Sequence, residues 1–354
     1  MVSQWARELH FSSIVVDTHS DSLVWTLDEG EDLADDLAHR QLTLPRMRAG
    51  GVTAQFMAAW VDPGRLGPET YVRRTLDFID AMHRTCAAHP DQIELAHTAA
   101  DVRRLKAEGK LAAILCIEGG HSIDDDLAVL RMYHRLGVRY MTLTWNNTNN
   151  WADGILDEAR HGGLSDLGRA VVREMDRLGV IVDVSHASVE TFWDALETGS
   201  KPVMASHSSC TQLCAHLRNL NDDQLRAIAN NGGVACVTYV PQFVSEGLRL
   251  QLEELGVTGT EGEATFRQVS GELVLPAYTE IVDHVEHMIN VAGIDHVGLG
   301  SDFGVLLAAP VGMEDCSRVP WVTEELVRRG YSDDDIRKVL GENVLRVMEA
   351  VIGE

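Results

Sequence analysis

The sequence has 354 residues, 45% of them hydrophobic and 24% charged, with 54 acidic and 30 basic side chains. This composition is typical of a folded globular protein and excludes a disordered chain. The formal net charge of −24 repels phosphate backbones and anionic headgroups, so we expect neither nucleic acid nor a membrane as partner. The first residues lack the pattern of a signal peptide, and we therefore expect a cytoplasmic protein.

The six cysteines are too few and too scattered for a disulfide framework in a chain of this length. Cys210 and Cys214 form a CxxxC pair, which could in principle ligate a metal. No second pair of cysteines accompanies them, and we assign them no role.

Eight short apolar segments alternate with helical patterns, as in a parallel sheet with crossover helices. Because eight such units close a barrel, the sequence predicts one (β/α)8 TIM barrel over residues 1–354. The predicted strands are Ile14–Asp17, Val52–Trp60, Ala112–Ile117, Arg139–Thr144, Val180–Ser185, Pro202–Ser206, Gly233–Tyr239 and His296–Gly300.

The clearest helical pattern runs from Leu164 to Leu178, with apolar residues spaced by three and four and Ser165 placed to cap it. Asn221 and Gln224 resemble a capping box at the start of another helix. Two segments fall outside the alternation. Gln242–Leu275 predicts a lid between strands seven and eight, and Asp28–Leu44 should lie on the active face.

Six polar residues of the types that bind divalent metals follow five of these segments. His19 and Asp21 lie after the first strand, where alternation along an extended backbone points both side chains the same way. Glu118 ends the third strand before two glycines, where a carboxylate can bridge two cations.

Two histidines and an aspartate complete the set. His186 ends the fifth strand and His207 the sixth, and they would supply two imidazoles for a second metal. Asp302 ends the eighth strand, where it could move protons. Each residue alone has a structural explanation, but their joint placement at strand ends predicts a two-metal hydrolase.

The chain resembles the membrane (renal) dipeptidase family, zinc peptidases of the metal-dependent amidohydrolase type, over nearly its whole length. The matching motifs are Leu44-Pro45-Arg46, Gly50-Gly51-Val52, Glu118-Gly119-Gly120-His121, Leu143-Thr144, Trp151-Ala152-Asp153, Gly163-Leu164 with Met175, Leu178 and Gly179, Asp183-Val184-Ser185-His186, Ser206-His207-Ser208, Arg218-Asn219 with Asp222-Asp223, Gly298 to Phe303, and Gly341 with Asn343 and Arg346-Val347. Agreement in this order is far more specific than any single motif.

The resemblance implies two zinc ions. One would be held by His19, Asp21 and Glu118, and the other by Glu118, His186 and His207. It implies that a water or hydroxide shared by the ions attacks the peptide bond.

The resemblance also implies roles outside the ligand set. Asp302 would take the proton from the attacking water and pass it to the leaving amine. Arg218 would pair with the substrate carboxylate or the oxyanion.

The sequence departs from the family at two places. Trp145 stands where mammalian members carry a substrate-binding histidine, and an indole offers only one donor. Asn146 and His121 are possible substitutes, although His121 is more typical of a residue that supports a ligand. Asp302-Phe303-Gly304 keeps the first carboxylate of the family's Asp-Phe-Asp-Gly and loses the second.

The resulting hypothesis is a dipeptidase that acts on small dipeptides. Hydrolysis of an N-acyl amino acid, a lactone or a phosphoester stays open, because the same metal pair activates water against many electrophiles. A metal-binding protein without catalysis is the alternative of another class. The sequence does not decide the oligomeric state and leaves a homodimer open.

Overall fold

The structure, a computed structural model, describes residues 1–257, 273–304 and 306–353. Its centre is a closed barrel of eight parallel strands, with β1 hydrogen-bonded to β2 on one side and to β9 on the other. The strands are β1 Val16–Asp17, β2 Ala54–Trp60, β3 Ile93–Leu95, β4 Leu111–Glu118, β5 Val138–Thr142, β6 Ile181–Asp183, β7 Met204–Ala205, β8 Val234–Val237 and β9 Val297–Leu299. The (β/α)8 barrel predicted from the sequence is confirmed.

One strand was not predicted. The three residues of β3 pair with the first residues of β4, while β2 pairs along the other side of β4 to close the barrel. A three-residue strand is too short to show periodicity, and β3 is an addition to the eight predicted strands.

The helices surround the barrel and connect successive strands. They are α1 Gln4–Ser12, α2 Leu44–Ala49, α3 Tyr71–Ala88, α4 Ala99–Glu108, α5 Leu127–Arg135, α6 Asp166–Leu178, α7 Val189–Thr198, α8 Asp222–Asn230, α9 Pro241–Val244, α10 Glu246–Glu254, α11 Tyr278–Ala292, α12 Pro320–Arg328, α13 Asp333–Arg337 and α14 Asn343–Ile352. Among the described residues, no helix is long and apolar enough to cross a membrane.

The predicted helix starts are present. The Ser165 side chain accepts a hydrogen bond from the backbone of Gly168 at the start of α6. At the start of α8, Asn221 and Gln224 form a reciprocal capping box. These contacts satisfy backbone groups that the first helical turn leaves unpaired.

Alternation along the strands builds two layers of core. Phe56 and Ala58 of β2 join Ile114 and Tyr140 in an inner cluster, which also includes residues of α4 and α14, while Met57 and Ala59 pack in a larger cluster with residues of most other helices. All these side chains are buried. The filled interior leaves the strand ends as the place for polar chemistry.

The segment predicted as a lid is described only in part. Its first residues lie in α9 and α10, and 258–272 lie outside the described residues. The lid stays a prediction.

Candidate metal centre

Five polar side chains meet at the carboxyl end of the barrel because parallel strands end at the same face. His19 lies two residues after β1, and Glu118 is the last residue of β4. His186 follows β6 by three residues, His207 follows β7 by two, and Asp302 follows β9 by three.

Glu118 stands at the centre of three imidazoles. Its Oε1 lies 2.9 Å from Nε2 of His186, 3.4 Å from Nε2 of His207 and 3.7 Å from Nε2 of His19. The two nitrogens of His186 and His207 are 2.9 Å apart. One carboxylate oxygen therefore contacts both halves of the predicted ligand set.

Two aspartates flank His19 on its other side. Its Nε2 lies 3.5 Å from Asp21 Oδ2 and 3.8 Å from Asp302 Oδ1. Asp302 thus approaches His19 about as closely as Glu118 does. Its carboxylate therefore lies within reach of the candidate metal-binding atoms.

Hydrogen bonds fix which nitrogen of His19 faces the cluster. Tyr140 Oη lies 3.0 Å from the Thr18 carbonyl, to which it donates, and 2.6 Å from His19 Nδ1. Because the phenol has a single proton, it must accept from the Nδ1–H of His19. The lone pair of His19 is then on Nε2, the nitrogen that faces the carboxylates.

The other two imidazoles are oriented in the same way. Asn146 Oδ1 lies 2.8 Å from His186 Nδ1, and an amide oxygen can only accept. Ser206 Oγ lies 2.7 Å from His207 Nδ1. Each histidine therefore has a polar partner at Nδ1, and its Nε2 faces Glu118.

Two buried carboxylates tie the loops that carry these ligands. Asp17 accepts hydrogen bonds from the backbone of His19 and of Ser301. Asp183 accepts from the backbone of Ser185 and of Ser206. Each carboxylate links the loop after its own strand to the loop after a neighbouring strand of the barrel, which holds the candidate ligands in register.

The backbone is strained at two of the predicted site residues. His186 has a φ of 68° and Asp302 a φ of 65°, a left-handed conformation that costs non-glycine residues energy. Both strained residues belong to the predicted site.

Burial sets the protonation of the cluster in the metal-free chain. It lowers the pKa of His186 and of His207 well below the usual range, and the charge of Arg218 acts in the same direction on both. Burial and the negative charge of Asp21 raise the pKa of Glu118 to about 8. The neutral imidazoles are in the form that binds metals.

The donor set fits divalent cations. His19 with Glu118 and His207, and His19 with Asp21 and Asp302, each place their ligand atoms within 4.8 Å of one another. The His19 Nε2 and Asp21 Oδ1 atoms are buried without a hydrogen-bond partner among the described residues. Ligands at about 2.0–2.2 Å from a zinc ion lie about 3.3 Å apart when tetrahedral, which agrees with the distances above.

Arg218 lies beside the cluster and is 3% exposed. It donates from Nη2 to the carbonyl of His207 at 3.3 Å, and its Nε has no partner within the described parts of the chain. Burial lowers its pKa to about 10, so it stays charged at neutral pH. It lines a cleft together with His186, Ser208 and Asn219.

Trp145 and His121 occupy different surroundings. The Trp145 ring is half-buried, 6.3 Å from the ring of His186 and 5.4 Å from that of Trp60. His121 Nε2 contacts the carbonyl of Val61 at 2.9 Å. Trp145 thus forms a wall of the site, whereas His121 supports the loop after β2 and makes no hydrogen bond to a predicted ligand.

Sequence reasoning missed Tyr140 and Ser206, which orient two of the histidines. Tyr140 lies within an apolar strand, where an aromatic residue predicts only core packing. Ser206 directly precedes His207, and its hydroxyl could have been recognised as a candidate partner.

The chain matches the model of the membrane dipeptidase family, peptidase family M19, over residues 3–352. The chain belongs to this family. It is therefore a metal-dependent dipeptidase, as the resemblance of its motifs predicted.

Curated relatives and solved structures agree with this membership. Dipeptidase aclJ of Aspergillus oryzae is 36% identical over 94% of this chain and 77% of its own length. The probable dipeptidase PvdM of Pseudomonas aeruginosa is 26% identical with a TM-score of 0.88, and the match covers 98% of each chain. A metallo peptidase of Rhodobacter sphaeroides is also 26% identical, with a TM-score of 0.81 over 96% of this chain and 99% of its own. That structure contains a phosphinate mimic of the dipeptide L-Ala-D-Ala.

Proposed function

We propose that this dipeptidase works with two zinc ions that share Glu118 as a bridging ligand. The observation that carries the proposal is the position of one Glu118 oxygen within 3.7 Å of three imidazole Nε2 atoms. His19 and Asp21 would complete one ion's protein ligands, and His186 and His207 those of the other. When bound, the ions would lower the pKa of water and polarise the scissile carbonyl.

The protein's own groups would hold the substrate. Arg218 keeps a charged guanidinium next to the cluster, with donor capacity that the protein does not use. A forked contact to the dipeptide's carboxylate would place the peptide bond over the metal ligands. The half-buried ring of Trp145 would exclude water on the His186 side of the site.

Asp302 would move the proton. Its side chain is 13% exposed and its Oδ1 lies 3.8 Å from His19 Nε2. A carboxylate in that place can accept a proton from the attacking water and return it to the leaving amine. Asn146 would act through His186, whose ring it orients, rather than on the substrate.

A substrate panel with zinc-loaded protein tests the function. We expect hydrolysis of alanine dipeptides, including L-Ala-D-Ala, whose mimic the Rhodobacter sphaeroides relative binds. N-acyl amino acids, lactones and phosphoesters serve as the competing substrates. Turnover of those compounds without dipeptides would contradict the proposal.

The Asp302→Asn variant tests the proton step separately. We expect turnover to fall by about 10²- to 10⁴-fold, the range of general acid–base catalysis, while the zinc content stays that of the wild type. Asp223→Asn, on the exposed side of α8, is the matched control and should keep full turnover. Full activity of Asp302→Asn would remove the proton carrier from the mechanism.

A further inference from the structure

A cavity of about 260 Å³ lies on the same face of the barrel as the metal ligands and has no role in the mechanism described so far. It is formed by the segment after β1, the end of β2 with its following loop, and helix α3. The residues that line it are Val24, Asp28, Trp60, Asp62, Arg65, Leu66 and Arg74.

Two residues that line the cavity lie next to predicted metal ligands in the backbone. Trp60 is the last residue of β2 and pairs in register with Glu118 of β4. The amide of Val24 donates to the carbonyl of Asp21 at 3.0 Å, one turn along the chain. The cavity therefore borders elements that carry predicted metal ligands.

An aromatic wall continues from the cluster into the cavity. The ring of Trp60 lies 5.4 Å from that of Trp145, which lies 6.3 Å from the ring of His186. The indole Nε1 of Trp60 is buried and has no hydrogen-bond partner in the described ranges. Two tilted indole rings thus lead from a proposed metal ligand to the cavity.

The charges around the cavity are already paired. Arg74 contacts both carboxylate oxygens of Asp28, at 2.6 and 2.7 Å. Arg65 lies 3.2 Å from Asp62, which also accepts from the backbone of Gly64 at 2.8 Å. Two cations and two anions leave no net charge around the cavity, so neither sign of charge on a guest is favoured there.

We propose that this cavity receives a large uncharged side chain of the dipeptide, which packs against Trp60, Val24 and Leu66. The inference rests on the proposed dipeptidase mechanism and names the class of side chain that it accepts. An aromatic or long aliphatic side chain would gain apolar contact there, whereas a charged one would meet no excess of the opposite charge.

Leu66→Trp tests the proposal by filling the cavity. The measured quantity is the ratio of kcat/KM for Phe- or Leu-containing dipeptides to kcat/KM for alanine dipeptides, with the variable residue at either end. We expect the wild type to prefer the large side chains and the variant to lose that preference by at least about tenfold, as expected for an apolar side chain that loses its pocket. Leu76→Trp, on the exposed side of α3 away from the cavity, is the matched control and should keep the wild-type ratio.

The wild-type panel also contains Lys and Asp dipeptides. A preference for either charged side chain, or an unchanged ratio in Leu66→Trp, would overturn the proposal. Binding of Ala-Phe, Phe-Ala and Ala-Ala to zinc-loaded Asp302→Asn protein, measured by calorimetry, separates this proposal from the proposed mechanism. Tighter binding of Ala-Phe or Phe-Ala that Leu66→Trp abolishes would support the cavity even if turnover were absent, and equal binding of all three would contradict it.

Discussion

The inside of the barrel and its rim, the loops at the carboxyl ends of the strands, differ in how their buried groups are satisfied. Inside, side chains such as Phe56, Ile114 and Met204 are fully buried among apolar neighbours. At the rim, buried polar atoms of His19 and Asp21 have no partner among the described residues, and His186 is held at positive φ. The interior stabilises the fold, and the rim carries a cost that a bound cation would offset.

Among the variants considered, Glu118→Gln should reduce zinc binding and turnover at the rim the most. The amide keeps the shape of the side chain but removes the charge that one oxygen presents to three imidazoles. We expect loss of stoichiometric zinc and a fall in turnover of at least about a thousandfold, since several kcal/mol of metal stabilisation is lost at about 1.4 kcal/mol per tenfold. Elemental analysis and kinetics check this, and retention of both ions would contradict the bridge.

The same variant also tests how the stability of the metal-free protein depends on pH. In the metal-free wild type, burial and Asp21 raise the pKa of Glu118 to about 8, above the ordinary value of 4.5. Between those two values the folded chain holds a proton that the unfolded chain has lost, so stability falls as pH rises. We therefore expect metal-free wild type to lose stability relative to Glu118→Gln from about pH 5 to pH 8. A pH-independent difference in the free energy of unfolding would contradict this.

Arg218→Ala tests the substrate side of the rim. We expect KM to rise and kcat/KM to fall by about ten- to a hundredfold, the effect of losing a hydrogen bond to a charged group. Zinc content should stay unchanged, because Arg218 contacts the backbone of His207 and not its ring. Wild-type kinetics in this variant would make Arg218 a structural residue.

Tyr140 packs inside the barrel and contacts His19 at the rim. Of these substitutions, Tyr140→Phe should have the smallest effect on the site. The variant keeps the packing of the inner cluster but removes the acceptor for His19 Nδ1–H. We expect zinc affinity to fall by about tenfold or somewhat more, as for other residues that orient ligands. Tyr133→Phe is the control, because its buried hydroxyl contacts Ser122 away from the cluster. Equal zinc affinities in the two variants would exclude the orienting role.

The sequence predicts the barrel and much of the rim for a physical reason. Apolar runs mark strands, and parallel strands end at one face, so His19, Glu118 and Asp302 could be brought together without coordinates. What the sequence could not predict depends on distances across the barrel. Tyr140 reaches His19 from another strand, and the cavity at Trp60 depends on how the loop after β2 packs against α3.

The most direct test is a crystal structure of the zinc-loaded protein with anomalous diffraction measured at the zinc edge. We expect two anomalous peaks per chain, both in contact with the Glu118 carboxylate. One peak should contact His19 Nε2 and the other the Nε2 atoms of His186 and His207. A single peak, or two peaks without Glu118 between them, would contradict the account.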